Sequence, residues 1–218
     1  MTKENFTLIE SYMLKCAGHS SHDKEHIYRV LYTARHIAQF CENVDTDILI
    51  TACLLHDIAR EEQLKNPKIC HAERGAEKAY IFLTENGFEE PFAKKVSDCI
   101  LTHRFRNDRQ PQSTEAKILF DADKIDVAGA LGVARTLIYS GETKRPLYSV
   151  INDSEINDGT IKDETFFAEY KFKLERLYDR FYTEKGREIA LKRKKHAEDF
   201  YNNLLSEISE AYDWKETL

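Results

Sequence analysis

The chain is poor in the residues that interrupt helices. It has only eight Gly and four Pro in 218 residues, which suits a mostly helical fold. No stretch alternates apolar and polar residues long enough to read as a strand. No window approaches the roughly 18 uninterrupted apolar residues of a membrane span. The opening Met1-Thr2-Lys3-Glu4 leads into a mixed polar segment rather than the apolar stretch of a secretory signal. The five cysteines, Cys16, Cys41, Cys53, Cys70 and Cys99, are odd in number and widely spaced, with no C-x-x-C. They predict reduced thiols in a cytoplasmic protein and no cysteine-type zinc site. There is no P-loop, no G-x-G-x-x-G and no G-x-S-x-G elbow, so Walker-type ATP chemistry and serine hydrolysis lack support. An excess of positive charge is missing too. Against 38 acidic residues stand 32 basic ones, a net charge of −6, which argues against nucleic acid as the main partner.

What is present is apolar bulk. The hydrophobic fraction is 42%, with 12 Phe and 11 Tyr, enough for a core in one domain with, at most, an appended subdomain. Helical periodicity runs through the chain. Phe6, Ile9, Met13 and Leu14 mark a first helix ending near Gly18. Asp23 can cap a second, with Ile27, Val30, Leu31, Ala34, Ile37 and Ala38 on one face. Asp45 can cap a third, Thr46 to about Arg60, apolar nearly all round and therefore buried. A fourth spans about His71–Asn86 with Gly87 beyond its end. A fifth runs from Pro91 to about Thr102. A long sixth is expected from Ser113 or Thr114 to about Ser140. Two amphipathic helices, about Glu164–Tyr182 and Gly186–Tyr212, close the chain. The expected architecture is all-α: a helical core over 1–140, an irregular loop over 141–162 in the role of a lid or a disordered segment, and C-terminal helices over 163–218 packing on the core.

The chemistry concentrates where acids and histidines interrupt apolar helices. The Leu-rich segment Leu49–Leu55 runs straight into His56-Asp57. A buried carboxylate needs a partner, and a cation is one candidate. Adjacent helical positions differ by about 100°, so both side chains can reach one ion. Equally, His56 could cap the helix carbonyls and Asp57 could be exposed. Upstream lies H-D-K-E-H-I-Y-R-V at His22–Val30. Downstream lies D-A-D-K-I-D at Asp121–Asp126, acids inside an apolar helix.

Taken together and in this order, H-D-x-x-H-x-x-R-V, L-L-H-D and D-A-D-K-I-D resemble the HD-domain metal-dependent phosphohydrolase superfamily. The segments A-L-G-V-A-R and F-K-L-E-R-L-Y-D-R-F-Y-T-E-K-G-R-E-I-A are similar to those of its small, stand-alone bacterial hydrolases. The resemblance implies four metal ligands: His26, His56, Asp57 and Asp123. Two imidazoles and two carboxylates suit Mn²⁺, Mg²⁺, Fe²⁺, Co²⁺ or Zn²⁺. In two-metal relatives, two further histidines lie between the HD pair and the last Asp. His71 and His103 stand in that order here. They are candidates for a second metal bridged by Asp57, or for pocket histidines that bind phosphate.

The helpers carry paired readings. Arg29, one turn after His26, could grip phosphate or form a salt bridge. Lys124 could contact phosphate or be solvated. Asp126, on the face of Asp123, could orient a ligand histidine or pair with Arg135. Asp121, on the opposite face, reads as structural or solvated. Glu61 could serve as a general base, and His22 could shuttle a proton or lie exposed in a turn. Arg60, three residues after Asp57, departs from the alarmone-hydrolysing branch, which has acids at the third and fourth positions, and from the 5′-deoxynucleotidase branch, which has Glu at the third. The run Lys192–His196 reads as an ion-paired solvated face. The aromatic stretch Phe166–Tyr182 reads as core or as the seam of a homodimer.

The expected function is hydrolysis of a phosphate ester or anhydride by metal-activated water. The resemblance points to a nucleotide substrate, for instance a nucleoside triphosphate cleaved to monophosphate and pyrophosphate. Two rivals remain open: a dinuclear iron oxygenase using all six ligands, and a metal- or nucleotide-binding regulator without turnover. Partner expectations are a phosphorylated small molecule, no membrane and no nucleic acid.

Overall fold

A computed structural model describes residues 1–17, 24–104, 109–148 and 165–213. Among these, the chain is all-α with no strand. None of the described helices is long and apolar enough to cross a membrane. The described residues form two compact units. One is Met1–Asp126 with Phe181–Gly186; the other is Val127–Arg180 with Arg187–Leu218.

The first unit opens with α1 (Lys3–Cys16), capped by the Thr2 hydroxyl, which accepts from Asn5 N. It buries Ile9 and Met13, while Leu14 stays 44% exposed. Next comes α2 (Lys24–Ala38), which buries Ile27, Val30, Leu31, Ala34 and Ile37 on the expected face. The expected cap Asp23 and the end of the first helix near Gly18 lie outside the described residues. The Asp45 carboxylate accepts from Asp47 N and Ile48 N and starts α3 (Thr46–Leu55), whose residues Leu49 and Thr51–Leu55 are all buried.

α3 does not continue to Arg60 as its apolar run suggests. It ends at Leu55, and a turn over His56–Ala59 leads into α4 (Arg60–Lys65). Here Ile58 N donates to Leu55 O and Arg60 N to Asp57 O, three residues back rather than four. The turn points successive side chains in directions that a continuous helix would not allow.

α5 (His71–Glu85) ends at Gly87, whose φ of +82° is left-handed. Phe88 N then bonds Leu83 O and Gly87 N bonds Thr84 O, satisfying carbonyls the helix leaves open. α6 (Glu90–Thr102) carries Pro91 in its first turn. α7 (Thr114–Ile125) is capped by Ser113, whose hydroxyl accepts from Ala116 N. α5 packs on α6, while α2, α3 and α6 pack around α7. Leu54, Leu55, Ile100, Ile118 and Phe120 fill this core.

The single long helix expected from Ser113 to Ser140 is two helices: α7 and α8 (Gly129–Glu142). Gly129 has a φ of +69°, which an L side chain rarely adopts. A Cβ on Gly132 would lie 2.1 Å from the Val127 carbonyl oxygen, so the chain can fold back on itself only without a side chain there. α8 runs through Gly141 to Glu142, so the irregular segment expected from 141 starts later. Its stretch 149–162 lies outside the described residues.

In the second unit, the expected helix Glu164–Tyr182 is broken. α9 (Phe166–Glu169) widens into a π turn over Tyr170–Leu174, with Glu175 N bonded to Tyr170 O, and a 3₁₀ turn follows at Leu177–Asp179. Phe166, Phe167, Tyr170 and Leu174 thereby join Val133, Ala197 and Tyr201 in one core. Tyr170 stacks on Tyr201 with ring centroids 4.3 Å apart. The aromatic stretch is thus largely core. The last helix, α10 (Glu184–Asp213), carries the basic run, with Lys192 paired to Glu188 one turn back and Lys194 and Lys195 paired to Glu198 and Asp199 one turn on.

Candidate metal centre

Six side chains from five places in the chain converge in the first unit. α2 supplies His26, the turn after α3 supplies His56 and Asp57, α5 opens with His71, His103 follows α6, and α7 supplies Asp123. The four histidines are at most 4% exposed and Asp57 is 7% exposed.

Each imidazole is held from behind at Nδ1. His56 Nδ1 lies 2.7 Å from Cys53 O, and His103 Nδ1 lies 2.6 Å from Ile100 O. His26 Nδ1 lies 2.8 Å from Asp126 Oδ2. His71 Nδ1 lies 2.5 Å from Gln63 Oε1. All four partners are oxygens that can only accept, so each Nδ1 carries the proton and each Nε2 presents a lone pair.

Those lone pairs face one another. His26 Nε2 and His56 Nε2 are 3.3 Å apart, and His71 Nε2 and His103 Nε2 are 3.2 Å apart. Two bare acceptors at this distance repel unless a cation lies between them. Ligands at about 2.1 Å from one ion, at angles near 90–110°, stand about 3.0–3.4 Å apart, so both pairs fit. Asp57 sits between the pairs. Its Oδ2 is 3.6 Å from His26 Nε2 and 3.9 Å from His56 Nε2. Its Oδ1 is 3.6 Å from His71 Nε2 and 3.8 Å from His103 Nε2. Asp123 Oδ1 completes the first group, 3.6 Å from His26 Nε2. The donors form two groups that could each hold an ion: His26, His56 and Asp123, and Asp57, His71 and His103.

The electrostatics agree with that use. Burial pushes His71 down to about 2, and burial with the neighbouring His56 pushes His103 down to about 4. Both rings are therefore neutral near pH 7, as ligands must be. For Asp123, burial pulls upward, but Lys124 and the surrounding imidazoles outweigh it and hold the carboxyl below its usual range.

The remaining sequence candidates fall around this cluster. Asp126 holds His26 and is gripped in turn by Arg29, with Nε at 2.7 Å and a terminal nitrogen at 3.0 Å. Lys124 Nζ lies 3.4 Å from Asp123 Oδ2 and over the Phe120 ring. Glu61 is half-buried in the first turn of α4, with no hydrogen bond or ion pair from its side chain among the described residues. Asp121 points away and binds Tyr182 N and Thr183. His22 lies outside the described residues. Sequence reasoning missed Gln63 behind His71, because nothing in its spacing signals a contact that the turn at 56–59 creates. Asp126→Asn is expected to lower affinity at the first group about tenfold to a hundredfold, since the amide is a weaker acceptor for His26. Calorimetric titration with Mn²⁺ checks it.

Residues 24–128, which span this whole cluster, match the HD domain family. This segment is an HD domain. Over 193 residues it is 29% identical to the uncharacterised protein YpgQ of Bacillus subtilis, covering 87% of this chain and 85% of that one. The crystal structure of YpgQ in complex with ADP superposes with a TM-score of 0.72 at 27% identity, covering 93% of this chain and 97% of that one. A predicted HD superfamily hydrolase from an uncultured Thermotogales bacterium is 29% identical, with a TM-score of 0.60 over 94% of this chain and 92% of that one. An HD-superfamily hydrolase from Bacillus thuringiensis is 26% identical, with a TM-score of 0.68 over 95% and 96% of the two chains. This HD protein thus has the fold of HD-superfamily hydrolases.

Proposed function

We propose that this HD protein is a metal-dependent phosphohydrolase, with His26, His56, Asp57 and Asp123 holding one divalent ion and Asp57, His71 and His103 holding a second. The observation that carries this is the facing of four imidazole Nε2 atoms in two close pairs, with one carboxylate between them. When bound, such ions polarise a phosphoryl oxygen and lower the pKa of a bound water. The protein's own residues do the rest. The four Nδ1 bonds fix the tautomers, so the donors need no rearrangement when ligand arrives. Arg29 acts through Asp126 as a positioning residue. Lys124, beside Asp123, is a cation placed to neutralise phosphate charge. Glu61 remains the candidate base.

A nucleotide is the substrate class this reading favours, because the relative YpgQ binds ADP. Product analysis tests it: the protein with Mn²⁺ and a panel of nucleoside mono-, di- and triphosphates. Release of phosphate or pyrophosphate that a chelator stops is the expected result. No release from any nucleotide removes the substrate assignment.

The bridging place of Asp57 also suits a second reading, a dinuclear iron oxygenase. Two irons per chain, with oxygen consumed in the presence of substrate, would favour it over hydrolysis.

A further inference from the structure

The two groups of donors are not equivalent. His56 and His103 are backed alike, each by a main-chain carbonyl three residues earlier. The other two imidazoles differ. His26 is backed by a carboxylate, Asp126, whose charge Arg29 balances. His71 is backed by the neutral amide oxygen of Gln63, with a guanidinium against it. An Arg60 terminal nitrogen lies 3.0 Å from His71 Nδ1 and 3.1 Å from Gln63 Oε1. Since Nδ1 already donates to Gln63, Arg60 cannot donate to it as well. Both N–H groups share the single amide oxygen.

Arg60 is poorly compensated there. Its Nε is buried with no hydrogen-bond partner. Among the described residues no carboxylate pairs with it. Its neighbour Glu62 is taken by Arg74 and Lys78. A carboxylate behind an imidazole strengthens it as a ligand, and a bare cation behind one weakens it. The carboxylates are unequal as well. The first group has Asp123 beside it in addition to Asp57 Oδ2, whereas the second has only Asp57 Oδ1.

We propose that the His26–His56–Asp123 position retains its ion while the His71–His103 position exchanges it, and that Arg60 is the residue that keeps the second affinity low. This rests on the two-ion reading of the same site. The two positions are then a resident and an exchangeable one, so occupancy of the second follows the free-metal concentration.

The test is titration of the metal-free full chain with Co²⁺, read by calorimetry and by visible absorption. Two steps per chain are expected, the second weaker. Asp123→Ala should abolish the tight step, and His103→Ala only the weak one. Arg60→Gln should tighten the weak step by at least about tenfold and leave the tight step within about twofold. Arg60→Lys, which keeps the charge but not the fork, should leave both steps near those of the parent. Gln63→Glu, which puts a carboxylate behind His71, should tighten the weak step, and it carries the test if Arg60→Gln does not fold. Two steps of equal strength, or equal effects of Arg60→Gln and Arg60→Lys, would overturn the proposal while leaving two ions in place. One ion per chain at saturating cobalt would overturn the two-ion reading itself.

Discussion

Asp57→Ala should abolish turnover, by roughly a thousandfold or more, and leave the helices standing. Both outcomes follow from one position. The carboxylate reaches His26 and His56 with one oxygen and His71 and His103 with the other. Its loss takes a negative ligand from both groups at once. The second group is then left with two neutral imidazoles, and the first with Asp123 as its one carboxylate. The metal count per chain should fall with the activity. The fold should persist because Asp57 sits in a turn, outside the packed faces of α3 and α4, and the four Nδ1 bonds do not involve it. Circular dichroism, elemental analysis and phosphate release on one preparation make the comparison. Full turnover in the variant would refute the proposed site.

Asp121→Ala is expected to do the opposite: keep the ligands and lose stability, by about 3 kcal/mol. Asp121 is fully buried. It accepts from Tyr182 N, Thr183 N and the Thr183 hydroxyl at 2.9, 2.7 and 2.6 Å, just before α10 begins. Alanine would leave three donors unsatisfied beside Gly186, where a Cβ would already meet Asp121 Oδ2 at 2.7 Å. Burial raises the Asp121 pKa, and these three donors work against that rise. Urea unfolding measures the loss. Asp121→Asn, which keeps an acceptor, should cost less. A variant as stable as the parent would show that these bonds contribute nothing.

Several elements were legible in the chain because their causes are local. Asp45 and Ser113 cap helices as expected, since a side-chain oxygen needs only the next two or three amides. The apolar face of α2 is buried as its periodicity requires. Asp126 lies against the His26 ring, as its one-turn spacing from Asp123 allowed. Arg29 forms the salt bridge that was one of its two readings. Where the cause is not carried by apolar periodicity, that pattern misled. The apolar run into His56 looks helical to Arg60, yet the helix ends at Leu55 and a turn over 56–59 follows. The run from Ser113 to Ser140 has one continuous helical pattern. It breaks because Gly129 and Gly132 lie against the Arg193 and Val127 backbones, and periodicity does not report such contacts.

By itself, the sequence determined that the chain is helical, that acids and histidines sit inside apolar helices, and that they come in the order of the HD superfamily. The first two are properties of spacing and composition, readable one segment at a time, and the third is a resemblance that the motifs carry together. Only the tertiary structure decided that the six side chains form two facing groups across Asp57, that Arg29 pairs with Asp126, and that Arg60 and Gln63 stand behind His71. Those depend on which faces of α2, α4, α5, α6 and α7 meet, and that is set by burial summed over the whole core rather than by any local run of residues.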